Sequence, residues 1–119
     1  VDKLKQDIID DFILTHNGSV LDTKDLPNIM DHCKTFPKYD SIICDGVMDH
    51  IPLDELYNNL LWIANTGEHA LFGISNHSDV LIQKPIDWWM ETLDKFYYGV
   101  NPVTSMFDDK FFFIECYNH

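Results

Sequence analysis

"YDSIICDGVMDHIPLDELYNNLLWIA", residues 39–64, decides how the rest of the chain is read. Ser41-Ile42-Ile43-Cys44 is apolar without alternation, the pattern of a strand covered on both faces, and a strand is expected over 40–45. It runs into Asp45-Gly46, and Asp49-His50 follow at once. The period then changes. Leu53, Leu56, Leu60, Leu61 and Ala64 share one stripe of an amphipathic helix over 53–65, which Asn65-Thr66-Gly67 ends. Two carboxylates, a glycine and an imidazole therefore fall within six residues, where a buried strand opens into its loop.

The same alternation extends in both directions. Residues 2–15 predict a helix with Leu4, Ile8, Ile9, Phe12 and Ile13 on one face and a solvated Asp7, Asp10 and Asp11 mostly on the other. Asn17-Gly18 supplies its stop. Ser19–Asp22 is a short strand candidate, and Pro27 suits the first turn of a helix over 27–35 that Phe36-Pro37 closes. "HALFGIS", residues 69–75, reads as a third buried strand. Pro85 opens the helix "PIDWWMETLDKFYYG", with Gly99 as its terminator. Two β-rich runs, "VTSMF" (103–107) and "KFFFIECY" (110–117), are joined by Asp108-Asp109 as a hairpin. "KFFFIE" is apolar on both faces and is read as a central strand rather than a self-association surface. The expectation is one α/β domain over 1–119, with a mostly parallel sheet, flanking helices and a C-terminal antiparallel hairpin. Open sheets of this kind bind ligands at the carboxyl ends of their strands.

Composition narrows the function. With 119 residues there is room for one core, and 45% apolar content suits a folded chain. Eight Lys and Arg against 20 Asp and Glu give a net charge of -12, which argues against a polyanion partner, so no direct nucleic-acid binding is expected. Cys33, Cys44 and Cys116 form no CxxC pair and are read as reduced thiols of a cytoplasmic protein. No run reaches the length of a membrane span and no signal peptide is visible. The chain begins at Val1, which suggests a trimmed product or a piece of something longer.

The strand ending in "CDGVMDHIP", the amphipathic helix after it, "ALFGIS", "DWWMETLDKFY" and the closing hairpin resemble the second half of a class I S-adenosylmethionine-dependent methyltransferase. The likeness is closest to small phage or bacterial forms, and it covers residues 39 to about 117. The family's glycine-rich GxGxG loop, whose backbone approaches the cofactor because glycine has no Cβ, has no counterpart here. "GSVLD", residues 18–22, resembles the first strand but continues as "TKDLPN". Alternatively "VLDTKDLP" resembles the third strand, in which case Asp25 inherits the contact to the adenine amino group and the first two strands are absent. Both readings leave the cofactor site incomplete.

The resemblance implies S-adenosylmethionine as cofactor, with Cys44, Asp45 and Gly46 beside its sulfonium and methionine portion and Asp49 on the adjoining loop. Asp45 accepts hydrogen bonds from an ammonium or polarises a substrate, and Gly46 permits close backbone approach. His50 is the candidate base, since an imidazole titrates near neutrality, with Asp45 as the alternative. A purely local reading has Asp49 favouring the helix N-terminus and His50 packing as a loop residue. Trp88 and Trp89, about 100° apart on a helix, cannot both face one core, so one is expected inward and one at the site mouth or a partner surface. They are placed with His77 on the substrate side. Asp45, Asp49, His50, His77 and Asp79 match no metal signature, and no metal is assigned. Besides a methyltransferase, the sequence permits an interaction module on the same scaffold, or a small hydrolase or lyase using Asp45, Asp49 and His50. A homo-oligomer or a second chain completing the sheet is the expected partner.

Overall fold

The structure is a computed structural model that describes residues 2–16, 18–23, 39–76, 80–103 and 111–118. Among these, three α-helices flank a five-stranded sheet. In chain order the elements are α1 (Asp2–Thr15), β1 (Val20–Asp22), β2 (Tyr39–Asp45), a 3-10 turn (Met48–His50), α2 (Leu53–Thr66), β3 (Gly67–Ser75), α3 (Ile86–Leu93), β4 (Gly99–Val103) and β5 (Phe111–Tyr117). The strands lie in the order β1-β2-β3-β5-β4. Pairing is parallel from β1 to β2 and from β2 to β3, then antiparallel from β3 to β5 and from β5 to β4. β4 therefore points the same way as β1, β2 and β3, and β5 alone is reversed. The α/β fold with its closing antiparallel pair is as the sequence predicts; the helix expected over 27–35 lies outside the described residues.

Unbroken apolar runs explain why both faces are covered. Ile43, Leu71 and Phe113 project to one face and meet Ile9 and Phe12 of α1. Ile42, Cys44, Ala70, Phe72, Ile74, Phe112 and Ile114 project to the other and meet Leu56, Leu60 and Ile63 of α2 and Trp89 and Leu93 of α3. Fully burying each large apolar side chain is worth about 1.5–3 kcal/mol, so this two-sided sheet is the main source of stability. β5 lies between β3 and β4 with Phe112, Phe113 and Ile114 buried, a central strand covered on both faces. Pro102, which has no N–H to offer a sheet interior, sits on β4 at the edge.

Three boundaries differ from the sequence expectation. Helix α3 stops at Leu93 instead of reaching Gly99; the amides of Phe96 and Tyr97 turn back onto the Leu93 carbonyl at 2.9 and 3.1 Å. Gly99 then opens β4, where a Cβ would collide with the Tyr117 ring across the pair. Sheet pairing overrides helical periodicity there. The first hairpin arm accordingly lies at Gly99–Val103, earlier than the expected 103–107, and Asp108-Asp109 fall outside the described residues. Finally, β3 begins at Gly67 with no intervening loop after α2, because Gly67 is already extended and a Cβ there would strike the Ile42 side chain.

Candidate functional site

The carboxyl ends of β1, β2, β3 and β4 all open onto one edge of the sheet, together with the start of β5. Asp45 and Gly73 are register partners, Gly73 is paired with Phe113, and Phe113 with Val103. This row marks the last full rung before the loops. Asp45 is half-buried and leans across the strand onto Gly73, where an added Cβ would meet the Asp45 carboxylate and the Phe113 ring. The carboxylate thus occupies space that only a glycine opposite leaves free.

Gly46 turns the chain away from β2. Its φ of 71° is left-handed, which L side chains rarely adopt, and its N–H donates to the Gly73 carbonyl at 2.9 Å. Among the described residues, chain neighbours aside, nothing lies within 4 Å of the position a Cβ would take. Backbone is therefore exposed to open space directly beside the Asp45 carboxylate.

Asp49 and His50, adjacent in sequence, go opposite ways. The Asp49 side chain is fully buried, and its Oδ2 accepts the Ser75 N–H at 2.7 Å. Its backbone carbonyl accepts two more amides, Leu81 at 2.9 Å and Ile82 at 3.1 Å. The His50 side chain is 51% exposed, with Nε2 4.0 Å from Asp49 Oδ1, beyond hydrogen-bond range. No side chain caps α2, whose N-terminal flank is Pro52.

The other predicted residues are placed as follows. Cys44 lies at the same strand end, but its thiol is buried in the core on the α2–α3 face, which leaves backbone for any ligand. Trp89 is the inward indole, fully buried, and Trp88 is half-buried beside it with the rings edge-on at 5.1 Å. Trp88 lies in the first turn of α3, and Lys84 sits 5.8 Å from its ring. Asp25, His77 and Asp79 lie outside the described residues. Among the described residues no three His, Cys, Asp or Glu side chains come together as a metal site.

Gly73, Ser75 and Thr23 belong to this edge although sequence reasoning did not single them out. Thr23 follows β1, is buried, and donates its hydroxyl to the Ile43 carbonyl at 2.9 Å. A glycine inside the apolar run "LFGIS" was the available signal for Gly73, since such glycines mark close approach. Ser75 acts through its amide, which carries no sequence signal.

Titrating groups cluster elsewhere, toward the opposite edge. His16, after α1, stacks on His69 of β3, and Phe12 packs against His16 at 4.7 Å. Burial, with His69 beside it, pushes His16 below the ordinary histidine range. Burial and the nearby Asp11 push Glu115 up, with His69 opposing. In the core, burial, reinforced by Cys44 and Glu115, drives the Cys116 thiol far above its usual range, so it stays protonated and inert.

No protein-family model matches this sequence, and no curated protein matches it. Solved structures do. The N-terminal domain of EvdMO1, determined with SAH and D-fucose, superimposes with a TM-score of 0.56 over 82% of this chain at 10% identity. Magnesium protoporphyrin IX methyltransferase (ChlM) from Synechocystis PCC 6803, determined with bound SAM, gives 0.52 over 73% of this chain at 15% identity. This chain shares their fold. It spans about half their length, 53% of the first and 42% of the second. Among the described residues, no helix is long and apolar enough to cross a membrane.

Proposed function

We propose that the carboxyl edge of the sheet binds S-adenosylmethionine and that the chain is a methyltransferase or the carboxyl-terminal part of one. One observation carries the reading: left-handed Gly46 presents bare backbone to open space beside Asp45. It lies at the sheet edge where open α/β folds take ligands, in a fold shared with structures that hold SAM or SAH. The fit is good on the β2 side. Asp45 would accept hydrogen bonds from the ammonium or hydroxyl donors of the ligand, and the Gly46 backbone would lie against it.

On the β1 side the fit is poorer. If β2 is the fourth strand of a doubly wound sheet, its neighbour β1 takes the place of the first. Buried Thr23 then stands where a glycine would let a ligand approach. The adenine contact of Asp25 belongs to the alternative in which β1 stands for the third strand, and this placement of β1 does not carry it; His77 and Trp88 are proposed for the substrate side.

When bound, S-adenosylmethionine supplies an electrophilic methyl group for in-line transfer to a nucleophile. The chain's own contribution is positioning, exclusion of water and removal of a proton. His50, exposed at the rim, is the proposed base; its free imidazole nitrogen takes the proton of the incoming nucleophile. β1 is an edge strand among the described residues, and a second chain pairing along it would complete both sheet and pocket.

Amide-shift mapping with SAH tests the site. The expected shifts centre on Gly46 and Gly73 and are lost in Asp45→Ala. Shifts scattered over the surface, or none, would favour the second reading, an interaction module that keeps the scaffold. Thr23 in the glycine position is the observation that favours that module.

A further inference from the structure

Asp49 has surroundings that do not match a ligand contact. Its carboxylate is completely buried, yet it lies at the rim of the candidate site, between two loops. Among the described residues it accepts three hydrogen bonds from outside its own turn: Oδ2 takes the Ser75 N–H at the end of β3, and its carbonyl takes the Leu81 and Ile82 amides on the approach to α3. A carboxylate accepting a backbone N–H in a low-dielectric setting forms a strong, short bond, as the 2.7 Å distance indicates.

We infer that Asp49 is the positioning residue of this site: it staples the loop after β2 to the end of β3 and to the segment entering α3. These are the segments that carry Gly46, His50 and the start of the helix bearing Trp88. Fixing Asp49 also fixes His50, the next residue in the chain, so that its exposed ring stands over the edge in one place. Two adjacent residues divide the work, one anchoring inward and the other facing the ligand. Among the described residues Asp49 Oδ1 has no hydrogen-bond partner, and it faces His50 Nε2 at 4.0 Å. The inward residue is therefore not saturated by the fold, and its free oxygen is turned toward the exposed imidazole.

The ligand part of this inference rests on the cofactor reading above; the staple does not. Two variants of the full chain separate them. Asp49→Asn keeps a carbonyl oxygen to accept the Ser75 N–H, whereas Asp49→Ala removes it. Amide exchange followed by NMR should show Ser75 opening roughly tenfold or more faster in Asp49→Ala, the loss expected for a hydrogen bond to a charged group, and near-native exchange in Asp49→Asn. SAH affinity, measured well below the melting temperature of each variant, should follow the same order: weakened in Asp49→Ala, largely restored in Asp49→Asn. Unchanged Ser75 protection in Asp49→Ala would overturn the staple. Asp49→Asn losing SAH as completely as Asp49→Ala, with Ser75 still protected, would make Asp49 a direct ligand contact and overturn the positioning role. If SAH does not bind the wild type, the cofactor reading fails, and Ser75 exchange alone decides the staple.

Discussion

The imidazole of His16 stacks on that of His69, ring centroids 4.0 Å apart and planes 21° from parallel. Neutral rings tolerate this contact; two imidazolium ions at that separation repel. The pair fastens the end of α1 to β3; Glu115 of β5 is coupled to His69, and Asp11 of α1 to Glu115.

Stability is expected to vary with pH through this cluster. His16 resists protonation in the folded chain, so below about pH 6.5 the unfolded chain binds more protons and stability falls, levelling off below the lowered folded value. Glu115 acts in the opposite sense: its raised value means the folded chain holds a proton that the unfolded one releases, so its penalty at neutral pH is relieved on acidification toward 4.5. Each effect is small, because both groups are partly exposed and screened by solvent. Urea titrations from pH 4 to 8 should show His16→Phe flattening the limb near pH 6 and Glu115→Gln gaining stability at pH 7. An unchanged slope in His16→Phe would contradict the assignment.

Gly46 and Gly73 are expected to fail for different reasons. Gly46→Ala meets open space and carries only the left-handed backbone penalty, about 1–2 kcal/mol. Gly73→Ala drives a methyl into the Asp45 carboxylate and the Phe113 ring, an overpacking cost of about 1–3 kcal/mol. Thermal denaturation measures both. Gly73→Ala should also displace Asp45 and weaken SAH binding more than its stability loss alone explains.

Trp89 is fully buried and its Nε1 has no hydrogen-bond partner among the described residues. Trp89→Phe removes that stranded donor along with part of the ring, so the cavity cost is partly offset and the net loss should stay below about 2 kcal/mol. Leu60→Ala, also fully buried, has no such offset and should cost about 2–5 kcal/mol. Chemical denaturation of the two variants checks the order.

Much of this fold is legible in the sequence because burial follows period. The unalternating Ile42-Ile43-Cys44 and Phe112-Phe113-Ile114 are strands covered twice. The stripe of α2 is met in part: Leu56 and Leu60 are buried and Ala64 packs beside them, but Leu53 and Leu61 face outward and Ile63 takes the inward place instead. The strand start at Gly99 depends on Tyr117, 18 residues further along the chain, which no local pattern contains. The site divides the same way. Asp45 and Gly46 are visible as a strand end, but the opposite orientations of Asp49 and His50 depend on the Ser75 amide, a backbone group brought in by β3.

Calorimetric titration of the purified chain with S-adenosylmethionine, with its mass in solution measured alongside, tests the central claim most directly. Micromolar binding that Asp45→Ala abolishes is the expected result. No heat of binding up to millimolar cofactor, from a chain confirmed as folded, would contradict it.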